Sequence, residues 1–135
     1  MIGPILELTD APDIESLAVI GKGLRDFNTE TTGINDHRPL AVFVKDAAGK
    51  VFGGVIGRTY LGLMFLDTFY LPKSERGAGL GSKVLAMAEA EGRRRGCKSA
   101  VLYTISFQAP EFYKRHGWRV FGQIPCDPPG TAASS

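Results

Sequence analysis

Hydrophobic positions along the chain show two patterns, helical spacing and short continuous runs. The changes from one pattern to the other predict the secondary structure. Apolar residues that recur at helical spacing predict helices at residues 14–27, 80–95 and 109–116. Short apolar runs bounded by turn residues predict strands at residues 5–8, 40–44, 51–56, 63–71, 100–105 and 118–124. The pattern therefore predicts the order strand, helix, three strands, helix, strand, helix, strand.

The order of these elements indicates the fold class. The turn sequence Asp46–Lys50 between two apolar runs is typical of an antiparallel hairpin. The strand–helix–strand unit of the second half requires a right-handed parallel crossover. The sequence therefore predicts an α/β fold with a mixed sheet, built as a single domain over residues 1–124. Residues 125–135 are rich in Pro, Gly, Ala and Ser and are predicted to be a frayed tail.

Composition excludes several classes of protein. Of the 135 residues, 44% are hydrophobic and 22% are charged, which excludes intrinsic disorder and is enough to bury a core. The net charge of +2 is too balanced for a general nucleic-acid binder. The most apolar stretch, residues 59–71, is too short to span a membrane, and the first residues do not resemble a secretory signal. Cys97 and Cys126 do not make a disulfide framework, so a reducing, cytoplasmic location is predicted.

Charge is distributed unevenly. Residues 1–72 hold six basic and nine acidic side chains, whereas residues 73–98 hold seven basic and three acidic ones. The basic segment is therefore a candidate anion-binding site, although an ordinary solvated surface produces the same pattern.

The sharpest local motif is the glycine-rich segment after the strand predicted at residues 63–71. Gly77, Gly79 and Gly81 occupy alternate positions just before a predicted helix. Glycines there let the backbone approach a ligand and point successive N–H groups at it, and the helix start adds its positive dipole end. Arg76 is placed to add a charge-assisted contact. The segment therefore predicts a phosphate-binding cradle, and a glycine-rich turn without a ligand is the alternative.

Two common phosphate motifs do not fit this segment. A P-loop requires Ser or Thr after its lysine, but Lys83 is followed by Val84. A dinucleotide fingerprint requires a third glycine where Ser82 stands. What fits is Arg-x-x-Gly-x-Gly at residues 76–81. In this motif, and in the order of its elements over residues 4–124, the chain resembles the GNAT superfamily of acyl-CoA-dependent N-acetyltransferases.

The resemblance implies a fold and a cofactor site. The fold would be a mixed, mostly antiparallel sheet with a splayed central parallel pair and flanking helices. The loop after Arg76 would bind the pyrophosphate of acetyl-CoA, without a metal, through the backbone of Gly77, Ala78, Gly79, Leu80, Gly81 and Ser82. The backbone near Phe69 and Leu71 would pair with the pantetheine arm.

A second block strengthens the resemblance. The family commonly carries Asn-x-x-Ala-x-x-x-Tyr followed by glycine and an aromatic residue, and this chain matches it at Ala109, Tyr113, Gly117 and Trp118. Ser106 stands where asparagine is usual. The resemblance implies that the residue at this position contacts pantetheine. The resemblance implies that Tyr113 is the general acid that protonates the departing thiolate.

The general base that deprotonates the attacking amine is left open. The candidates are Asp67, Glu30, Asp36, His37 and His116. Asp67 lies mid-strand in alternation with Phe65 and Phe69, and it is either a catalytic carboxylate that faces a cleft or a structural one. His116 ends a predicted helix, where a structural role is expected. His37 lies in a segment that covers the acceptor site in the family.

The resulting hypothesis is an enzyme that moves an acetyl group from acetyl-CoA to an amine of a small molecule or peptide. The alternative is a non-catalytic acyl-CoA-binding or sensor module. Members of the family usually have one more strand after the element matching residues 118–124, but three prolines make the tail a poor strand. The final strand is therefore predicted to be missing. Either the tail wraps back over the bare edge as a loop or, as the favoured alternative, a second copy covers it in a homodimer.

Overall fold

The structure of the protein, a computed structural model, describes residues 3–105 and 110–135. The chain divides into two compact units, residues 1–35 and residues 36–135. The first unit contains helix α1 (Ile14–Thr32). The second contains strands β1 (Arg38–Lys45), β2 (Val51–Tyr60), β3 (Leu63–Tyr70), β4 (Ser99–Leu102), β5 (Thr104–Ile105), β6 (Gln123–Cys126) and β7 (Thr131–Ser134), and helices α2 (Leu80–Arg94) and α3 (Pro110–Arg115).

Helix α1 is capped at both ends. The Asp13 carboxylate accepts hydrogen bonds from the backbone N–H of Ser16 (3.0 Å) and from its hydroxyl (2.7 Å), and these bonds lower the pKa of Asp13. Gly33 ends the helix in the left-handed conformation, with φ 75°.

Residues 5–8 have no regular secondary structure, so the strand predicted there is wrong. An apolar run alone does not supply the neighbouring strand that a ladder needs.

Strands β1 to β4 form one sheet in that order. Strand β2 pairs antiparallel with β1 and with β3, whereas β4 pairs parallel with β3 after the crossover through α2. The predicted hairpin is confirmed, and the Asp46 carboxylate stabilises its turn by accepting from the N–H groups of Ala48 and Lys50, both at 2.9 Å. The mixed, mostly antiparallel sheet is therefore confirmed.

The core lies between this sheet and α2. Its buried side chains are Leu40, Val55, Met64, Leu66, Val84, Leu85 and Ala88. Beyond the helix, Arg95 donates hydrogen bonds to the carbonyl oxygen of Pro39 (3.0 Å) and to the hydroxyl of Thr59 (3.1 Å). These bonds fix the end of α2 against the sheet.

A β-bulge interrupts the pairing of β2 with β3. Ile56 pairs with Thr68 and Gly57 pairs with Leu66, so Asp67 has no partner in β2. An extra residue of this kind shifts the alternation of faces beyond it. Phe69 therefore packs against the buried core, and the predicted alternation of Asp67 with Phe69 is wrong.

Strand β3 separates from β4 beside this bulge. Their parallel pairing ends at Leu66 and Leu102. The chain then enters β5, which belongs to a second sheet of order β5-β7-β6. On the side of β3 that pairs with β4 up to Leu66, residues 67–70 pair with no strand of the described ranges. The splayed central parallel pair is therefore confirmed.

The C-terminal tail supplies the final strand. Strand β7 pairs antiparallel with both β5 and β6. The N–H of Ser135 donates to the carbonyl oxygen of Gly122 at 2.9 Å, which ties down the end of the chain. The prediction of a missing final strand is therefore wrong, and so is that of a frayed tail.

The prolines are compatible with this ladder because of where they lie. Pro128 and Pro129 are in the turn between β6 and β7, and Pro125 is in β6, an edge strand, where proline is tolerated. The strand predicted at residues 118–124 begins only at Gln123. Because this strand pairs with β7, the reason given for a homodimer no longer holds, and the homodimer stays an untested prediction.

Candidate active site

Strand β3 leads directly into the glycine-rich loop of residues 76–82, which is the predicted phosphate-binding cradle. Leu71 is buried at the strand end. Arg76, four residues past Pro72, donates a hydrogen bond from Nε to the carbonyl oxygen of Leu71 at 3.0 Å. This bond folds the loop back toward the strand that it leaves, and it uses one of the five N–H donors of the guanidinium.

The cradle presents a row of backbone donors at the start of α2. Gly77 and Gly79 have φ angles of 90° and 81°, which only glycine adopts without strain. The first N–H groups of a helix have no partner within it. Those of Leu80, Gly81 and Ser82 meet no acceptor in the described part of the chain. Donors at the positive end of a helix form a suitable site for an anion.

Gly81 has a packing role that the sequence analysis missed. A Cβ atom at this position would lie 3.3 Å from the ring of Phe112, tighter than ordinary contact. The missing side chain therefore lets α3 lie against the start of α2. This close approach places α3 beside the cradle.

Helix α3 brings Tyr113 to the end of β3. The Tyr113 ring centroid lies 6.2 Å from that of Phe69 and 5.2 Å from that of Phe112, both in T-shaped arrangements. Burial among these rings raises the pKa of Tyr113 above its ordinary value. The phenol is therefore protonated at neutral pH and able to donate a proton. The structure thus brings together two predicted site residues, Phe69 and Tyr113.

Trp118 holds the other side of the Tyr113 ring. Their ring centroids are 6.3 Å apart, and the Trp118 N–H donates to the carbonyl oxygen of Tyr113 at 3.1 Å. The indole Nε1–H donates to Oε1 of Glu89 on α2 at 3.0 Å. The sequence carries no signal that points to Glu89, because only the fold brings α2 and the segment after α3 together.

Asp67 lies on the other face of the sheet from Phe69. Its Oδ1 accepts a hydrogen bond from Nη1 of Arg58 at 2.6 Å. The Arg58 guanidinium lies 4.5 Å from the ring centroid of Phe65, a cation–π contact. The Asp67 side chain is 48% exposed. These three residues form a solvated charged patch on β2 and β3, where β3 leaves β4.

The other base candidates are His37, Asp36 and Glu30, of which His37 and Asp36 lie apart from the cradle. The His37 ring contacts that of Tyr60 edge-on at 5.5 Å, and Asp36 accepts a hydrogen bond from the N–H of Leu61 at 3.1 Å. Both lie where β3 begins, whereas the cradle follows its opposite end. Glu30 belongs to α1 in the first unit. The structure therefore does not bring His37 or Asp36 to the cradle.

His116, in contrast, lies at the cradle. Its Nε2 is 2.9 Å from Oγ of Ser82, and its Nδ1 is 2.7 Å from the carbonyl oxygen of Phe112. From its sequence position alone, this histidine is expected to have only a structural role at a helix end. Its link to Ser82 could not be predicted, because α2 and α3 are brought together only by the fold.

The remaining observations concern Ser106, the Cys97 thiol, possible metal ligands and membrane-spanning helices. Ser106, the expected contact to pantetheine, lies outside the described residues. Burial raises the pKa of the Cys97 thiol, which disfavours the nucleophilic thiolate. Within residues 3–105 and 110–135, no group of three or more His, Cys, Asp and Glu side chains is arranged to hold a metal. In the same ranges, no helix has the length and apolar character needed to cross a membrane.

Comparison with known proteins agrees with this geometry. Residues 11–118 match the sequence model of the family described as "Acetyltransferase (GNAT) family". The chain belongs to the GNAT acetyltransferase family, whose fold is the mixed sheet with flanking helices described above.

Three proteins similar to this chain support the assignment. Acetyltransferase Atu2258 of Agrobacterium fabrum is 33% identical over 87% of this chain and 85% of its own length. Blasticidin-S acetyltransferase of Streptomyces morookaense is 39% identical over 73% of this chain and 76% of its own length. The crystal structure of an acetyltransferase from Bacillus cereus superposes with a TM-score of 0.76 at 31% identity, covering 96% of this chain and 94% of that one.

Proposed function

We propose that this protein transfers an acetyl group from acetyl-CoA to an amine of a small molecule or peptide, by direct attack of the amine on the thioester. The observation that carries this proposal is the packing of Tyr113 against Phe69 at 6.2 Å, beyond the point where β3 leaves β4. The fold thus places a proton donor beside an open strand, and that strand leads into an anion site. This is the order in which a thioester, a pantetheine arm and a pyrophosphate are joined in acetyl-CoA.

The cradle is proposed to hold the pyrophosphate. The N–H groups of residues 77–82 supply the donors, and the side chain of Arg76 adds a positive charge. The excess of basic over acidic side chains in residues 73–98 favours a polyanionic cofactor.

The pantetheine arm is proposed to extend from the cradle along β3 toward the splay. The side of β3 that has left β4 offers backbone groups near Phe69 and Leu71. An extended ligand with amide groups binds such an open edge as an added strand does. This positions the thioester near Tyr113.

The proposed reaction has no covalent enzyme intermediate. The nitrogen lone pair of the amine attacks the carbonyl carbon of the thioester, a C–N bond forms and the C–S bond breaks. The departing thiolate takes the proton of the Tyr113 phenol, which later regains one from solvent. Before the attack, a base takes one proton from the acceptor ammonium and frees this lone pair. The nitrogen loses a second proton to solvent as the amide forms, so an amide and CoA are the products. The raised pKa of Tyr113 supports this role, because the phenol carries its proton at neutral pH.

Asp67 is proposed as the carboxylate that takes the proton of the acceptor, directly or through water. Its exposure and its place in the bulge support this assignment, because β3 leaves β4 at this point. Arg58 holds the carboxylate in place through the bond of 2.6 Å. A cationic amine is attracted to such a carboxylate before it loses its proton.

The class of acceptor is proposed from the relatives. One of them is named for acetylation of blasticidin S, so a small natural-product amine is the first candidate acceptor. A cytoplasmic location is also proposed, because both cysteines, Cys97 and Cys126, are free thiols as in a reducing compartment.

The test is transfer to a panel of amines. Purified protein is incubated with acetyl-CoA and, separately, with blasticidin S, a peptide with a free N-terminus and a peptide with an internal lysine. Free thiol is measured with a thiol reagent, and the acetylated amine by mass spectrometry. We expect thiol release in proportion to acetylated product for at least one amine. Binding of acetyl-CoA without turnover on any amine would instead identify a non-catalytic acyl-CoA-binding module.

A further inference from the structure

We propose that His116 is a positioning residue whose protonation turns the Ser82 hydroxyl toward the pyrophosphate and tightens the binding of CoA. The proposal rests on the proposed function, because it requires the cradle to bind the pyrophosphate. His116 does not touch the cofactor in this proposal but acts through Ser82.

The tautomer of the neutral His116 ring is fixed by one bond. The carbonyl oxygen of Phe112, 2.7 Å from Nδ1, can only accept a hydrogen bond, so Nδ1 carries the hydrogen. Nε2 of the neutral ring is then an acceptor. The partner of Nε2 at 2.9 Å is the Ser82 hydroxyl, which therefore donates its hydrogen to the imidazole.

Protonation of the ring reverses the bond to Ser82. Nε2 then carries a hydrogen and donates to Oγ, so the Ser82 hydroxyl hydrogen is released for another acceptor. Ser82 lies in the first turn of α2, among the residues whose N–H groups face the cradle. The released hydroxyl hydrogen is therefore available to a phosphate oxygen, and a hydrogen bond to a charged group is the stronger kind.

The charge of the protonated ring acts in the same direction. A cation near the start of a helix is unfavourable without an anion and favourable beside one. Binding of the pyrophosphate therefore favours protonation of His116, and by reciprocity protonation favours binding. The histidine side chain is the one that ordinarily changes charge between about pH 5 and 8.

Several other charged side chains lie around His116. An open cavity beside His116 is lined by Glu89 and Arg93 of α2, Lys98 before β4 and Arg119 after α3, and α3 itself carries Glu111, Lys114 and Arg115. In model peptides, glutamate, lysine and arginine side chains titrate outside the range of about pH 5 to 8. The Cys97 thiol lines the cavity as well, and its raised pKa keeps it neutral. The proposed response to pH is therefore assigned to the bond between His116 and Ser82.

The test is calorimetric titration of the protein with CoA at two pH values, in buffers of different ionisation enthalpy. We expect Kd to be about fivefold lower at about pH 5.5 than at about pH 8, with net proton uptake on binding. A monoester phosphate of the cofactor also titrates in this range, so the decisive comparison is between variants. In both His116→Gln and Ser82→Ala, the change of Kd with pH is expected to shrink to that of the cofactor alone.

The other histidine provides the matched control. His37→Gln removes a ring at the opposite end of the sheet and is expected to keep the full pH dependence. An unchanged pH dependence in Ser82→Ala or in a folded His116→Gln variant overturns the proposal. Absence of CoA binding to the unmodified protein at either pH refutes the proposed function instead.

Discussion

The indole Nε1–H of Trp118 donates a hydrogen bond to Oε1 of Glu89 at 3.0 Å, and this bond joins α2 to the residue that backs the ring of Tyr113. Both groups are partly shielded from water. A donor that loses its acceptor where water has limited access costs the folded protein more stability than a donor exposed to solvent. The bond therefore contributes both to stability and to the placement of Tyr113.

Removal of this acceptor is expected to destabilise the fold. Glu89→Ala leaves the indole donor unpaired, so we expect the free energy of unfolding to fall by about 1 to 2 kcal/mol, measured by urea denaturation. Glu89→Gln is the control, because its amide oxygen accepts the same hydrogen bond and stability is expected to stay near that of the unmodified protein. Equal stability of all three proteins would show that the bond contributes nothing.

The raised pKa of Tyr113 predicts a loss of stability in alkali. Because the pKa of the folded protein lies above the ordinary value of about 10, the unfolded chain ionises first as the pH rises. This contribution to stability is complete below the ordinary value and is lost as the pH rises through the folded pKa. We therefore expect the urea midpoint to fall less between about pH 9.5 and 11.5 in Tyr113→Phe than in the unmodified protein.

Tyr103, which is 62% exposed, offers the matched control for this experiment. Tyr103→Phe is expected to keep the alkaline dependence of the unmodified protein. If Tyr113→Phe and Tyr103→Phe respond alike, burial of the Tyr113 phenol does not couple to stability.

Local sequence patterns predicted the parts of the fold that local chemistry decides. The hairpin around Asp46 and the glycine-rich entry into α2 were predicted because turn residues and positive φ angles leave a signature in a few neighbouring residues. The bulge at Asp67 left no such signature, since it depends on the register with β2. One extra residue there was enough to reverse the predicted face of Phe69.

For the final strand, a local signal was present but pointed to the wrong structure. Proline content argued against a strand in the tail, but the prolines lie in a turn and on an edge, where they remove no needed donor. Contacts between distant segments, such as Trp118 with Glu89 and His116 with Ser82, were likewise beyond the sequence. They depend on how α2 and α3 pack, which Gly81 permits by its lack of a side chain.

Substitution in the cradle is expected to abolish stabilisation by the cofactor. Gly79→Val places a branched side chain at φ 81°, on the side that the pyrophosphate is proposed to approach. Acetyl-CoA at about a hundred times its Kd stabilises a binding protein by about 2.7 kcal/mol. We expect this stabilisation, read from the thermal unfolding midpoint, to be lost in the variant.

A second glycine separates backbone strain from ligand contact in this experiment. Gly49 has φ 84° in the turn between β1 and β2, so Gly49→Val introduces similar strain away from the cradle. That variant is expected to be destabilised but to keep the full response to acetyl-CoA. If folded Gly79→Val also keeps the full response, the cradle has been misassigned.

Replacement of Asp67 tests the proposed base. Asp67→Asn keeps an oxygen that accepts from Arg58 but cannot take a proton, so we expect kcat to fall by about 10- to 100-fold. The Kd for acetyl-CoA is expected to be unchanged, because Asp67 lies on the opposite face of β3 from Phe69. Asp26→Asn, which breaks an exposed ion pair with Lys22 on α1, is the control with expected normal turnover. Normal turnover in Asp67→Asn would assign the deprotonation to another group.

The central claim is that Tyr113 protonates the thiolate of CoA during acetyl transfer, and Tyr113→Phe tests it most directly. The measurement is kcat for thiol release with the amine that gives turnover, together with Kd for acetyl-CoA, in the unmodified protein, Tyr113→Phe and Tyr60→Phe. Tyr60 lies at the other end of the sheet, so its variant controls for loss of a partly buried phenol. We expect Tyr113→Phe to lower kcat by about 100-fold or more with an unchanged Kd, and Tyr60→Phe to retain turnover. An unchanged kcat in Tyr113→Phe, with the chemical step shown to limit the rate, would contradict the account.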